Sequence, residues 1–177
     1  TGTGTVAVTA LEGDLAANLS GLASGLTTTA ALDSSGNVAL LAAANLTNVD
    51  TVNISGNGTV TSHASATLGS GTYAVGSSAT LSLTATHADG LTATGTGTVA
   101  VTALEGDLAA NLANIDATTT TASIGSNGTF TGNLDGAVVT VQDGVTMTAA
   151  ANVVASQTVN KVSSGVLAVK VGAADAG

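Results

Sequence analysis

The chain of 177 residues contains no Cys, Pro, Trp or Arg, and only one each of Phe, Tyr and Met. Without cysteine there is no disulfide framework, no thiolate nucleophile and no thiolate metal site. Eleven acidic residues against two lysines give a net charge of -9. Both lysines, Lys161 and Lys170, lie near the C-terminal end. Binding nucleic acid means neutralising phosphates with Lys and Arg, so that class of partner is excluded. The longest apolar run, Val38 to Ala44, is far too short to cross a membrane, which excludes insertion by a helix. No stretch reads as a signal peptide or an anchor.

What is present is small. Ala (34), Thr (31) and Gly (23) make up about half of the chain. Hydrophobic residues are 44% and charged residues 7%, the reverse of a disordered composition. With so few large side chains, a thin core of Val, Leu, Ile and Ala between closely spaced sheets suits the composition better than a thick globular core.

Repeats organise the chain. Thr1 to Leu19 (TGTGTVAVTALEGDLAANL) recurs unchanged as Thr94 to Leu112. A finer repeat runs beneath this duplication. Ala-Ala-Asn-Leu ends at Leu19, Leu46 and Leu112, with variants ending at Leu91 and Val153, while Leu68 and Leu134 fill the long gaps. The spacing is close to 22 residues, the signature of a solenoid whose units stack on their neighbours. Each unit has a β-prone stretch, as in Asp50 to Ser55, Thr118 to Ile124 and Ala137 to Val141. A turn rich in Gly, Asn, Ser and Asp then reverses the chain. A second stretch alternates strictly, as in Thr59-Val60-Thr61, Thr98-Val99-Ala100-Val101-Thr102, Thr129-Phe130-Thr131 and Thr146-Met147-Thr148. Period-two alternation sends Val60, Val99, Val101, Phe130 and Met147 inward and the threonines outward.

The expected fold is therefore all-β, a single parallel, two-sheeted β-solenoid over residues 1–177. Its eight coils are about 1–18, 19–45, 46–67, 68–90, 91–111, 112–133, 134–152 and 153–177. At ~4.8 Å per layer they form a stack roughly 38 Å long. Leu11, Leu15, Leu19 and Leu22, and likewise Leu104, Leu108, Leu112 and Ile115, recur at helical spacing. Thr9-Ala-Leu-Glu12 and Thr102-Ala-Leu-Glu105 match a capping box. Short helical turns are expected at these two corners and at no other.

Reactive chemistry is sparse. His63 and His87 fall near the second corner of neighbouring coils and read as polar corner residues. No serine sits in a nucleophile elbow. Thr1-Gly2-Thr3-Gly4-Thr5 lacks the lysine and third glycine of phosphate-binding loops and reads as a turn entering a strand. The acids are scattered: Glu12, Asp14, Asp33, Asp50, Asp89, Glu105, Asp107, Asp116, Asp135, Asp143 and Asp175. Calcium needs six to eight converging oxygens, and the G-G-x-G-x-D nonapeptide is missing. Turn chemistry accounts for these acids better than structural Ca²⁺ does. Sequons occur at Asn18, Asn45, Asn53, Asn57 and Asn127. No catalytic, cofactor-binding or metal residues are assigned, and the chain does not read as an enzyme. A sugar-processing β-helix would need clustered acids and aromatics.

The Gly-Thr-Val-Thr strands, the Asp-Gly-Leu and Ala-Asn-Leu corners and the long identical copies resemble bacterial extracellular β-strand-repeat proteins. These are the acidic, cysteine-free chains of surface layers, fibrillar adhesins and type I-secreted repeat proteins. The resemblance implies a cell-surface location, a structural or adhesive role as part of a surface layer, filament or stalk, and frequent association with calcium. A cell-surface or matrix polysaccharide is a further partner consistent with it. A second reading is an ice-binding solenoid, in which Thr59 and Thr61, Thr80 and Thr84, Thr98 and Thr102, Thr129 and Thr131, and Thr146 and Thr148 rank into a flat face. Assembly follows from strand edges: unpaired N–H and C=O groups favour head-to-tail continuation into a filament or lattice. Val166 to Val171, with Lys170 as its only charge, reads as a final coil or a strand donated to a neighbour.

Overall fold

The computed structural model describes residues 3–171. Thr1, Gly2 and Asp175, and the outer parts of the first and last expected coils, lie outside the described residues. The chain is a parallel β-solenoid of about eight turns. It divides into two compact units. The first comprises the chain through Ser82 with Leu91–Val99 and Asp116–Thr119; the second comprises Leu83–Gly90, Ala100–Ile115 and the chain from Thr120 onward.

In the first unit, β1 (Gly4–Val8), β2 (Leu26–Asp33), β4 (Thr51–Ser55), β6 (Thr72–Val75) and the start of β8 (Thr92–Thr102) form one parallel ladder. A second ladder joins β3 (Val38–Leu40), β5 (Thr59–Ser62) and β7 (Thr80–Thr84). In the second unit, the end of β9 (Ile115–Ile124), β11 (Val138–Val141) and β13 (Val159–Lys161) form one ladder, and β10 (Gly128–Phe130), β12 (Thr146–Ala150) and β14 (Val166–Lys170) the other. The corners add a third, minimal ladder of single bridges, Asn18 to Asn45, Asn45 to Thr67 and Asn111 to Asn133. These residues stack corner on corner. Leu46, Leu112 and Leu134, each one residue later, are buried.

Alternation sets the core. Val60, Val99, Val101, Phe130 and Met147 are all buried, and the threonines flanking them are not. Strands β2, β4 and β6 turn alternate side chains inward, small or branched apart from one tyrosine: Ala30 and Leu32, Val52 and Ile54, Tyr73 and Val75. The parallel registers place such residues over one another in successive coils.

Short helical turns stand at both corners where they were expected, but without the caps that the sequence suggested. Leu11–Gly13 and Leu104–Gly106 are single 3₁₀ turns. Their preceding residues are Ala10 and Ala103, and neither turn has a side-chain cap. The capping box fails because its glutamates reach forward. Glu12 accepts from Asp33 N–H at 3.3 Å and Glu105 from Gly125 N–H at 2.8 Å, each one coil ahead. Thr102 turns its hydroxyl to the Leu83 carbonyl at 3.1 Å. One-turn helices stand instead at two corners where none was expected, α1 (Ala85–Ala88) and α2 (Ala151–Val154). Thr84 caps α1, its Oγ1 accepting from His87 N–H at 3.3 Å. The leucine spacing at Leu11 and Leu104 comes from a corner revisiting the core, not from a continuous helix.

Candidate functional site

The side chains with chemistry are mostly spent on the backbone. Asp14, Asp33 and Asp107 each accept from the N–H two residues ahead, at 3.1, 2.9 and 3.1 Å. These are turn-forming bonds of the kind that aspartate makes readily. A second group reaches to the neighbouring coil. Asp50 accepts from Thr28 N–H at 2.7 Å, Asp89 from Asn111 N–H at 2.9 Å, and Asp143 from Ser164 N–H at 2.9 Å. With Glu12 and Glu105, five carboxylates bind an amide 20 to 22 residues away, about one coil. Ser164 Oγ also donates to Asp143 at 2.7 Å, and its hydroxyl and N–H hold the Asp143 carboxyl below the usual 3.8. Asp33 is likewise lowered, by the Ser35 side chain first and then the Ser35 N–H.

Asparagines do the same at the third corner. Asn18, Asn45, Asn111 and Asn133 each accept, at 3.0 to 3.1 Å, from the N–H two residues on. In the first two, the following Ser20 and Thr47 hydroxyls donate to the same oxygen at 2.6 Å. The sequon pattern at Asn18 and Asn45 is thus corner geometry. Asn48 ties its coil to the preceding one, donating to the Ser20 and Leu22 carbonyls at 2.6 and 2.8 Å.

Asn48 and Asp50 line a cleft of about 230 Å³ bordered by Ser24, Leu26, Ser70 and Gly71. Its two functional side chains are held by backbone of the protein itself. Nearby in the chain, Thr28 is fully buried and its hydroxyl has no partner. The histidines are corner groups. His63 is exposed and its Nδ1 accepts from Ser65 N–H at 3.1 Å; His87 lies in α1. Among the described residues, no three His, Cys, Asp or Glu side chains gather as a metal centre would require. Tyr73 is buried, donates to the Leu68 carbonyl at 2.6 Å, and has its phenol pushed well above the usual range by burial.

The outer faces carry the other ordered feature. Thr29, Thr51, Thr72 and Thr92 stand in register on four successive strands, all partly exposed. On the second ladder the column expected from sequence is interrupted: Thr59 pairs with Thr80, but Thr61 pairs with Ser82. In the second unit, Thr129 meets Thr148, while Thr146 meets Val166.

Comparison with protein-family models, curated proteins and solved structures finds no significant match to the chain.

Sequence reading missed the five carboxylates that bridge coils. Their signal is present, since each acid stands about one period from the amide that it binds. It becomes visible only once the register is known.

Proposed function

We propose that the protein is an extracellular structural element, part of a surface layer, filament or adhesin stalk, without a catalytic role. The observation that carries this reading is how the polar side chains are used. Acids, asparagines and serines are committed to backbone groups of their own or the adjacent coil, so chemistry serves stacking. Such a chain offers a regular, rigid surface, and it associates with its own kind or with a surface polysaccharide. Immunogold labelling of native cells combined with electron microscopy tests the proposal. Label on an ordered surface layer or fibre is the expected result, and a purely cytoplasmic label overturns it.

One observation favours a second reading, an ice-binding role: the in-register column of Thr29, Thr51, Thr72 and Thr92. Strand geometry spaces such hydroxyls at ~4.8 Å between coils. Thermal hysteresis in the native protein, lost in Thr51→Lys, would establish it. Freezing behaviour equal to that of an inert protein removes it.

A further inference from the structure

Two Asn-Gly steps stand at turns, and both continue with threonine: Asn57-Gly58-Thr59 and Asn127-Gly128-Thr129. An asparagine side chain closes most readily on the backbone at such a step, because glycine has no Cβ to hinder the next amide nitrogen. Identical tripeptides share their local reactivity, so a difference between them belongs to the fold.

The fold treats the two steps differently. Asn127 is a clasp whose Oδ1 accepts from Thr146 N–H, one coil ahead, at 2.6 Å. Gly128 is the first residue of β10 and lies in register with Met147, so its amide nitrogen belongs to a strand. Asn37 is used as Asn127 is, with Oδ1 accepting from Thr59 N–H at 2.8 Å, but valine follows it. Asn57 has no such tether. It is exposed, and its side chain makes no hydrogen bond among the described residues. It stands between Gly56 and Gly58 in the bend before β5, outside any strand. The Gly58 N–H is restrained by its bond to Ser34 Oγ at 3.1 Å.

We propose that Asn57 is a site of spontaneous deamidation and isoaspartate formation in the folded protein, and that the clasp protects Asn127. The Gly58 amide nitrogen gives up its proton and attacks Asn57 Cγ, forming the C–N bond of a cyclic succinimide. The Cγ–Nδ2 bond breaks, and the side-chain nitrogen leaves as ammonia, taking up a proton. Water then adds at one ring carbonyl and opens the ring. Opening at the side-chain carbonyl gives aspartate, and opening at the backbone carbonyl gives isoaspartate. Nothing is oxidised or reduced. Water is the only co-reactant, so the reaction does not depend on where the protein resides or what it assembles with.

The product alters how this turn lies on the coil before it. A Cβ on Gly56 would run into Asp33 Oδ1, so a new carboxylate adds like charge to a turn that already abuts Asp33. A Cβ on Gly58 would press on the Ser34 carbonyl oxygen. The extra backbone methylene of isoaspartate must therefore displace that contact. Deamidation loosens the turn against Asp33 and Ser34.

Timed peptide mapping of the 177-residue chain tests this, at mildly alkaline pH, with and without urea. Cleavage before aspartate releases Asn57 within residues 50–88 and Asn127 within residues 116–134. Tandem mass spectra locate the amide-to-acid change in each peptide, and fragments newly cut before residue 57 or 127 count as reacted. In the folded protein Asn57 should react at least about tenfold faster than Asn127, the effect of one net hydrogen bond on a rate. In urea the two rates should converge. Equal rates in the folded protein, or a faster Asn127, overturn the proposal. So does a folded protein in which neither reacts while the unfolded chain does. A difference that persists in urea overturns it as well, because flanking sequence and not the fold would then set the rates.

Discussion

Replacing Tyr73 by Phe separates two contributions of one hydroxyl. The ring is buried at the centre of β6, and its O–H donates to the Leu68 carbonyl at 2.6 Å. At neutral pH the variant loses that bond and leaves a carbonyl without its partner, a cost of about 1.5 kcal/mol. Above the usual phenol value the balance reverses. Burial raises the folded pKa, so the folded state keeps a proton that the unfolded state releases. The stabilisation is complete below the unfolded value of about 10 and falls by about 1.4 kcal/mol for each pH unit above it. The phenylalanine variant has no such loss, so the two stability curves meet close to pH ~11. Urea unfolding followed by circular dichroism between neutral pH and pH ~11 gives both curves. The chain has no Trp and one Tyr, so phenolate absorbance reads this group alone. Parallel curves for the two proteins, or a native phenol that ionises at its usual pH, would refute the reasoning.

Phe130→Ala removes the only phenylalanine, which is fully buried in β10, and should cost about 3–5 kcal/mol in urea unfolding; less than about 1 kcal/mol would mean that the layer collapses around the gap. Gly97→Ala should lose more than about 2 kcal/mol by pushing on the Gly76 and Ala79 carbonyls, while Gly4→Ala in the identical segment leaves unfolding unchanged; equal effects would contradict the packing. The Asp143 carboxylate is held ionised by the Ser164 hydroxyl and N–H, so its contribution is present above the unfolded value and is lost as pH falls through the lowered folded pKa. The Ser164 amide resonance should therefore titrate with a midpoint below 3.8, and a midpoint at or above that value rejects the bond.

The period and the core residues were legible because threonine and valine alternate so regularly. Inward positions such as Val60 and Met147 can be counted off without a structure. Asn45 and Asn111, read as corner residues, bridge to a neighbouring corner and precede buried leucines. The short helical turns at Leu11 and Leu104 were legible as well, but not their uncapped 3₁₀ form. Glu12 and Glu105 send their carboxylates to the next coil instead of back to a cap, a choice that depends on that coil. The same limit hid the bonds of Asp50, Asp89 and Asp143 to amides one coil away. A residue separation of 22 carries no local propensity; only stacking gives it meaning. Identical sequences also fold differently at one point, with Ala103 left-handed at φ 53° and Ala10 at φ -152°. No reading of that sequence alone could assign both.

The corner and carboxylate bonds have a mechanical consequence. Neighbouring coils are fastened by a short row of ladder bonds and, at several layers, by side-chain clasps such as Asp50 on Thr28 or Asp143 on Ser164. A pull that peels one terminus away loads a single row at a time, so rupture proceeds coil by coil rather than in one break. With Gly4 paired to Leu26, a coil holds 26 − 4 = 22 residues, and releasing it pays out roughly 75 Å of chain. Under tension such a protein behaves as a stepwise extensible tether, yielding in many small increments and re-forming each from the layer still standing.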